Sequence, residues 1–482
     1  MRVLTLLHRW WGVMFCLLFA MWFASGIAMH FVPFPSSSET DRFAALLPID
    51  PDRVGHGPAE AVAASGIAEV LRVRLVGRSD GPIYLISGPS AFRTLRAGDL
   101  ADGAVISTRT ALDIASGYAR ARGLDTARAH AGEPIAFDQW SVSGAFDSDR
   151  PLYRVAFDDI SGTELYVAST TGDVVLVTTQ RARALNYIGS IAHWIYPTAL
   201  RHHLQAWTSL MWWLSLLAWI GAGFGVVIGL TRLDVRNRGA TAPYRGLQAW
   251  HYRFGLVCAP FVLGFAFSGW LSMDDGRWLK GRDARADARS IAGTADWSSL
   301  SPGEGRGAGV KEIEWFAFGG NIYRRERASP EQQRLYETSP NITLLDGGLL
   351  RAGEIDHAIG HLAAGCAPAS IIATSDNSAV KSRMPDAPIF RAICGDTWFE
   401  IDGASGALLD RLNAPQRAYR RLFEGLHTLR FWPLTSHPLL RTILIVALCG
   451  CGFAFSLTGV VIGMQRLLIS LRSFSRSKTR VP

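Results

Sequence analysis

Four stretches of this 482-residue chain contain no Asp, Glu, Lys or Arg: Trp10–Ser38, Leu204–Thr231, Phe254–Met273 and Thr442–Gln465. A helix needs about 20 apolar residues to cross the hydrocarbon core of a bilayer, and all four stretches reach that length. A buried helix of a soluble protein seldom stays apolar on every side for so long. The four stretches therefore read as membrane spans and exclude a single soluble domain. The first lies near the N-terminus, but its apolar part is too long for a signal peptide. Ser25-Gly26-Ile27-Ala28 is also a poor small-x-small cleavage site. It is expected to remain as an uncleaved span.

Cation placement orients the spans. With the N-terminus inside, residues 1–9, 232–253 and 466–482 lie inside and hold twelve Lys and Arg against one acid, Asp234. The rest of the chain holds 37 Lys and Arg against 40 Asp and Glu. The net charge of +8 is thus a topology signal and gives no support to nucleic-acid binding. Trp10, Trp11 and Trp250 are expected in an inner aromatic belt, and Trp194, Trp270 and Trp432 in an outer one.

The chain repeats itself. His8-Arg9-Trp10-Trp11-Gly12 resembles His251-Tyr252-Arg253-Phe254-Gly255, and the same offset of 243 puts Ser25-Gly26 onto Ser268-Gly269. Gly225-Val226-Val227-Ile228-Gly229 recurs 234 residues later as Gly459-Val460-Val461-Ile462-Gly463. The offset of 234 also maps His193 onto His427 and His203 onto His437. Each half reads as span, outside domain, span. The halves share one orientation, so the pseudo-axis runs along the membrane normal.

Both outside segments carry α+β patterns. In the first, Ala111–Gly123 has helical spacing, and Tyr153–Phe157, Leu165–Ala168 and Val174–Thr178 read as strands. In the second, Ile355–Gly365 is the helix, and Ile389–Ile393, Trp398–Ile401 and Ala407–Leu409 are the strands. Arg277–Gly309, rich in Gly, Ser, Ala and Arg, reads as a loop. Cys366 and Cys394 lie in the second segment, where an oxidising compartment would permit a disulfide. The other four cysteines lie in spans and read as small apolar side chains.

Histidine in or beside a span is costly to bury and marks function. On the inside there are two, His8 and His251, and they are repeat mates. Two histidines on facing helices are the axial ligand set of a b-type haem. Gly12 and Gly255, one turn on, leave room for a flat macrocycle, and Arg9 and Arg253 suit its carboxylates. On the outside two pairs compete for a second such site, His193/His427 and His203/His437. A His/Met pair of His30 and Met273 is a further alternative. His202 has no mate, and His357 and His361, at i and i+4, lack an obvious third metal ligand.

The elements Leu7-His8-Arg9-Trp10-Trp11-Gly12, Trp250-His251-Tyr252-Arg253-Phe254-Gly255 and Leu426-His427-Thr428 resemble those of the PepSY-associated transmembrane proteins. These include iron-regulated membrane proteins and inner-membrane siderophore reductases. The turns at Tyr166–Gly172 and Phe399–Gly406 are similar to PepSY turns. The resemblance implies a membrane α-helical protein of four transmembrane helices in two tandem repeats, with two α+β PepSY-like periplasmic domains. The segments are span 1 (1–32), PepSY-like domain 1 (33–185), interfacial elbow and span 2 (186–233), span 3 (247–273), PepSY-like domain 2 (274–415), and elbow and span 4 (416–471). It further implies two haem b groups, one held by His8 and His251 and one by His193 and His427, with His203 and His437 the competing outer pair. The bacterial inner membrane would hold the chain, with both termini cytoplasmic.

The activity so implied is transfer of electrons outward to a ferric siderophore, which releases Fe(II). Some relatives carry a fused flavin reductase domain. Here 17 basic-rich residues follow Gln465, so a separate cytoplasmic reductase or a membrane quinol is the expected donor. Two other classes compete. One is a non-redox module whose PepSY-like domains bind a protein or peptide, which predicts colourless protein. The other is a transporter, which would want acids near the midplane, and the four runs contain none.

Overall fold

The structure is a computed structural model that describes residues 2–233, 243–273, 284–301, 309–338, 342–372, 387–431 and 433–478. Asp234, Trp432 and residues 277–283 and 302–308 of the expected 277–309 loop lie outside the described residues. The chain forms two compact units, one made of residues 1–34, 184–280 and 418–482, the other of 35–183 and 281–417.

Among the described residues the first unit contains four helices long and apolar enough to cross a membrane: Arg2–Phe31, Leu204–Thr231, Leu247–Ser272 and the apolar part of Pro438–Lys478. They match the four uncharged stretches because a charge-free run of this length can satisfy its backbone only within itself in lipid. The first helix packs on the second and fourth, and the third packs on the second and fourth, so the bundle closes. A π-helical turn precedes each even-numbered span. Tyr187–Ile191 packs on the first span and Phe423–His427 on the third.

The second unit is built from antiparallel sheet. Strands β1 (Arg72–Val76), β2 (Ile83–Ser87) and β3 (Phe92–Arg96) come from the first outside segment. A short β4 (His130–Ala131) precedes β5 (Leu152–Ala156), β6 (Glu164–Ala168) and β7 (Val174–Thr178), and these four form one sheet. Its inner face is covered by helix Thr108–Arg122 through Ala111, Ile114, Ala115 and Tyr118. The second segment supplies β8 (Glu312–Phe318), β9 (Asn321–Arg327), β10 (Gln333–Glu337) and β11 (Thr343–Leu344). It then repeats the helix-and-sheet plan with helix Ala352–Gly360 and β12 (Cys366–Ile371), β13 (Ile389–Cys394), β14 (Thr397–Asp402) and β15 (Leu408–Leu412). Cys366 and Cys394 face each other across β12 and β13 and are joined as a disulfide.

The expected helices and strands of both segments are present, Val174–Thr178 with the bounds expected and the others with one or both ends shifted by one to five residues. Two findings differ from expectation. The 277–309 region contains helix Ala284–Ala292 and a helical turn at Trp297–Ser299, because Ile291, Ala292, Trp297 and Leu300 insert into the cores. And the outside segments, expected as domains 33–185 and 274–415, share one sheet. Strand β1 pairs with β8, giving the order β11-β10-β9-β8-β1-β2-β3.

One face of that sheet is apolar and packs Val73, Leu75, Tyr84, Ile86, Ile313 and Trp315 against Trp297 and Ala61. The other face carries a buried ladder of charge. Glu312 accepts from Arg74 (2.7 Å), Arg42 (2.7 Å) and Arg327 (3.2 Å), and Glu314 pairs with Arg72 and Arg325. Burial alone would raise the Glu314 carboxyl, but Arg325 and Arg72 hold it at about 2. Two tight turns dock on this ladder. Asp173 reaches Arg74 at 3.2 Å, and the Ser405 carbonyl accepts from Arg72 at 3.2 Å. The turn glycines Gly172 (φ +76°) and Gly406 (φ +63°) stand 234 residues apart, and an added Cβ would strike Arg78 in one and Phe318 in the other.

Candidate functional site

At one end of the bundle, His8 of the first span and His251 of the third line a single cleft of about 300 Å³. All four spans contribute to it. The second and fourth present Gly221, Gly225, Gly229, Gly459 and Gly463. Small residues let helix backbones approach closely in a membrane, and here that closeness seats the histidines. A Cβ on Gly225 would lie 2.6 Å from His8 Cε1, and one on Gly459 would meet Cys16 Sγ and stand 3.4 Å from His251 Cε1. The expected space-makers, Gly12 and Gly255, also line the cleft, where an added Cβ would first meet Cys16 Sγ at 3.8 Å and Phe455 at 3.2 Å. Arg9 and Arg466 line the cleft, whereas Arg253 is not among its lining residues.

Hydrogen bonds assign the tautomer of both rings. The Nδ1 of His8 lies 3.4 Å from the Gly221 carbonyl, which only accepts, so Nδ1 carries the proton. His251 Nδ1 lies 2.8 Å from Thr458 Oγ1, and that hydroxyl donates its one hydrogen to the Phe455 carbonyl at 2.6 Å. His251 Nδ1 is therefore the donor as well. In both rings Nε2 keeps its lone pair.

The other end of the bundle repeats this arrangement. His193 Nδ1 lies 3.0 Å from Ser25 Oγ, and His427 Nδ1 lies 3.1 Å from Ser268 Oγ. Each serine is buried and donates backwards along its own helix, Ser25 to Met21 at 2.6 Å and Ser268 to Gly264 at 2.7 Å. These hydroxyls are left to accept, so both histidines again donate from Nδ1. Gly26 and Gly269 lie beside the rings, where a Cβ would stand 3.7 and 3.4 Å from Cε1. The ring centres of His193 and His427 are 6.1 Å apart, at 72°.

The backbone presenting these rings is strained in the same way twice. Ile195 has φ +46° and Leu429 has φ +52°, each two residues after its histidine. A positive φ on a bulky residue costs of order 1–3 kcal/mol and gathers at functional sites. No signal in the sequence marks these two positions.

The competing histidines go elsewhere. His203 is exposed at the start of the second span, its ring 5.0 Å from that of His202. His437 is exposed at the start of the fourth and donates from Nδ1 to the Pro433 carbonyl at 3.1 Å. His30 Nε2 is bound to Thr442 Oγ1 at 2.9 Å. His357 and His361 share an exposed helix face, ring centres 5.3 Å apart. Of the expected belt, Trp11 sits between helices and donates to the Leu217 carbonyl at 2.9 Å. Trp10 and Trp250 stay about half exposed.

Between the two ends lies a packed aromatic cluster. Phe23 stands 6.5 Å from Phe261 and 6.2 Å from Phe265, and Phe265 stands 6.1 Å from His427.

Among the described residues no three His, Cys, Asp or Glu side chains gather to hold a bare metal ion. Each histidine pair offers two ring nitrogens, a number that fits a haem iron, whose macrocycle brings four nitrogens of its own. The glycine floor, the free Nε2 atoms and the arginines at one cleft all fit that group.

No curated protein matches the chain. The family model of the PepSY-associated TM region matches residues 5–466, a stretch that runs through all four spans and both outside segments. The chain belongs to the PepSY-associated TM region family.

Proposed function

We propose that this membrane protein is a haem-dependent reductase that passes electrons across a bacterial cytoplasmic membrane to a ferric siderophore, with Fe(II) as product. His8 with His251 would hold one haem b, and His193 with His427 another. The observation that carries this reading is the common state of four histidines. Each gives its Nδ1 proton to an acceptor and leaves Nε2 for a metal. Once bound, haem supplies a one-electron carrier whose potential depends on its ligands, their hydrogen bonds and burial.

The protein's own residues do the rest. Ser25, Ser268 and Thr458 fix ring planes and tautomers. Phe23, Phe261 and Phe265 keep the space between the pairs free of polar groups. The matched bonds at offsets of 234 and 243 support two duplicated halves about an axis along the membrane normal. Charge bias supports an orientation with His8 and His251 on the cytoplasmic side, facing a separate reductase or a quinol. The Cys366–Cys394 disulfide supports a periplasmic setting for the second unit.

The test is a reduced-minus-oxidised absorption spectrum with a haem count on purified full-length protein. Two haems per chain are expected. His8→Ala/His251→Ala should lose one, His193→Ala/His427→Ala the other, and His203→Ala/His437→Ala neither. Colourless wild-type protein would instead support the non-redox module.

A further inference from the structure

The two rings at the glycine-floored cleft are not held alike. His251 Nδ1 donates to Thr458 Oγ1 at 2.8 Å, and the ring stacks on Phe455 with centres 4.7 Å apart and planes 22° apart. Thr458 is itself anchored, since its hydroxyl donates to the Phe455 carbonyl at 2.6 Å. Among the described residues His8 has only the Gly221 carbonyl, at 3.4 Å, near the limit of a useful hydrogen bond. The difference is written in the residues themselves. At an offset of 234, Thr458 corresponds to Phe224 and Phe455 to Gly221. The halves thus diverge at the two positions that grip the histidine, while Gly225 and Gly459, which seat it, are the same.

We propose that Thr458 is a positioning residue that acts through His251, and that it makes His251 and His8 unequal ligands of the group they share. A hydrogen bond from Nδ1–H to a fixed acceptor raises the basicity of Nε2 and locks the ring. A more basic ligand favours the oxidised over the reduced metal. His251 is then the firm, potential-setting ligand, and His8 the one that yields. The proposal rests on the haem reading above, and its test separates the two.

The experiment uses full-length protein carrying His193→Ala/His427→Ala, so that one site reports. Haem content, midpoint potential by spectroelectrochemical titration and the low-temperature EPR spectrum are measured for Thr458 and for Thr458→Val, Thr458→Ser and Phe224→Leu. Thr458→Val should bind haem and raise the midpoint potential by about 59 mV, a tenfold change in relative affinity for a one-electron couple, with altered EPR g values. Thr458→Ser should restore both, and Phe224→Leu should change neither. If Thr458→Val fails to take up haem, Thr458→Ser at the parent potential still supports the proposal. Parent potential and g values in Thr458→Val, or no recovery in Thr458→Ser, would overturn it. Absence of haem from the parent protein would instead overturn the haem reading.

Discussion

At Gly225 and Gly459 one hydrogen in place of a methyl group decides whether a histidine has a seat. A Cβ on Gly225 falls 2.6 Å from the His8 ring, and one on Gly459 runs into Cys16. Room for the methyl group would have to come from a shift of the His8 ring or of the Cys16 side chain, both of which line the cleft. Gly225→Ala is expected to lower haem content at the His8/His251 site several-fold without loss of membrane insertion. Gly459→Ala should do the same, and Gly223→Ala, where a Cβ meets nothing within 4 Å, should not. The haem count of each purified variant checks this. Asp149 offers a second residue-scale prediction. Burial, with the Asp173 charge beside it, lifts its carboxyl to about 6, although Arg74 opposes. A raised carboxyl favours the folded state at low pH and penalises it as pH rises through about 6. Asp149→Asn should therefore stabilise the protein by about 1 kcal/mol at pH 8 and little at pH 4.5, as read by thermal unfolding at both pH values.

At the scale of elements, the central sheet is the part least visible in the sequence. Strand β9 reads Asn-Ile-Tyr-Arg-Arg-Glu-Arg, a polar run that suggests a surface loop, yet Ile322–Arg327 are buried. The explanation lies on other strands. Arg325 and Arg327 are neutralised by Glu314 and Glu312 of β8, which also meet Arg72 and Arg74 of β1, about 240 residues earlier. Alternation of charge along a strand signals burial only when the complementary strand is known. The strands of the helix-and-sheet modules carry ordinary apolar alternation and were legible. Glu314→Gln would take the carboxylate charge from buried Arg325 and from partly buried Arg72 and should cost about 3 kcal/mol, measured by denaturant unfolding. The folded Glu314 carboxyl lies below its unfolded value. Its contribution is therefore complete above about pH 4.5 and is lost as pH falls towards about 2. The penalty of Glu314→Gln should shrink over that window.

At the scale of the whole molecule, one connection changes how the chain can be divided. Because β1 pairs with β8, neither outside segment completes its sheet alone. Residues 35–183 expressed by themselves would expose the open edge of β1 and leave Arg72 and Arg74 without Glu314 and Glu312. An unpaired edge of this kind recruits other chains. The fragment is expected to associate, and co-expression with residues 281–417 should yield a monodisperse heterodimer. Size-exclusion chromatography with light scattering distinguishes the two. A monomeric, cooperatively folding 35–183 fragment would contradict the shared sheet.

What the sequence determined by itself is whatever a local or periodic rule carries. Charge-free length specified four spans, because a bilayer tolerates little else. Two fixed offsets singled out three pairs among twelve histidines, His8/His251, His193/His427 and His203/His437, and apolar alternation marked the strands of both modules. Only the tertiary structure shows how the two outer pairs differ: the His193 and His427 rings stand 6.1 Å apart beside Ser25 and Ser268, while His203 and His437 are exposed. That difference depends on where a π-helical turn places a ring, and the strained Ile195 and Leu429 have no sequence signature. Only the tertiary structure also gave each imidazole its tautomer. The proton's place depends on whether a neighbouring oxygen has a hydrogen left to donate, and the oxygens concerned belong to residues as much as 213 positions away along the chain.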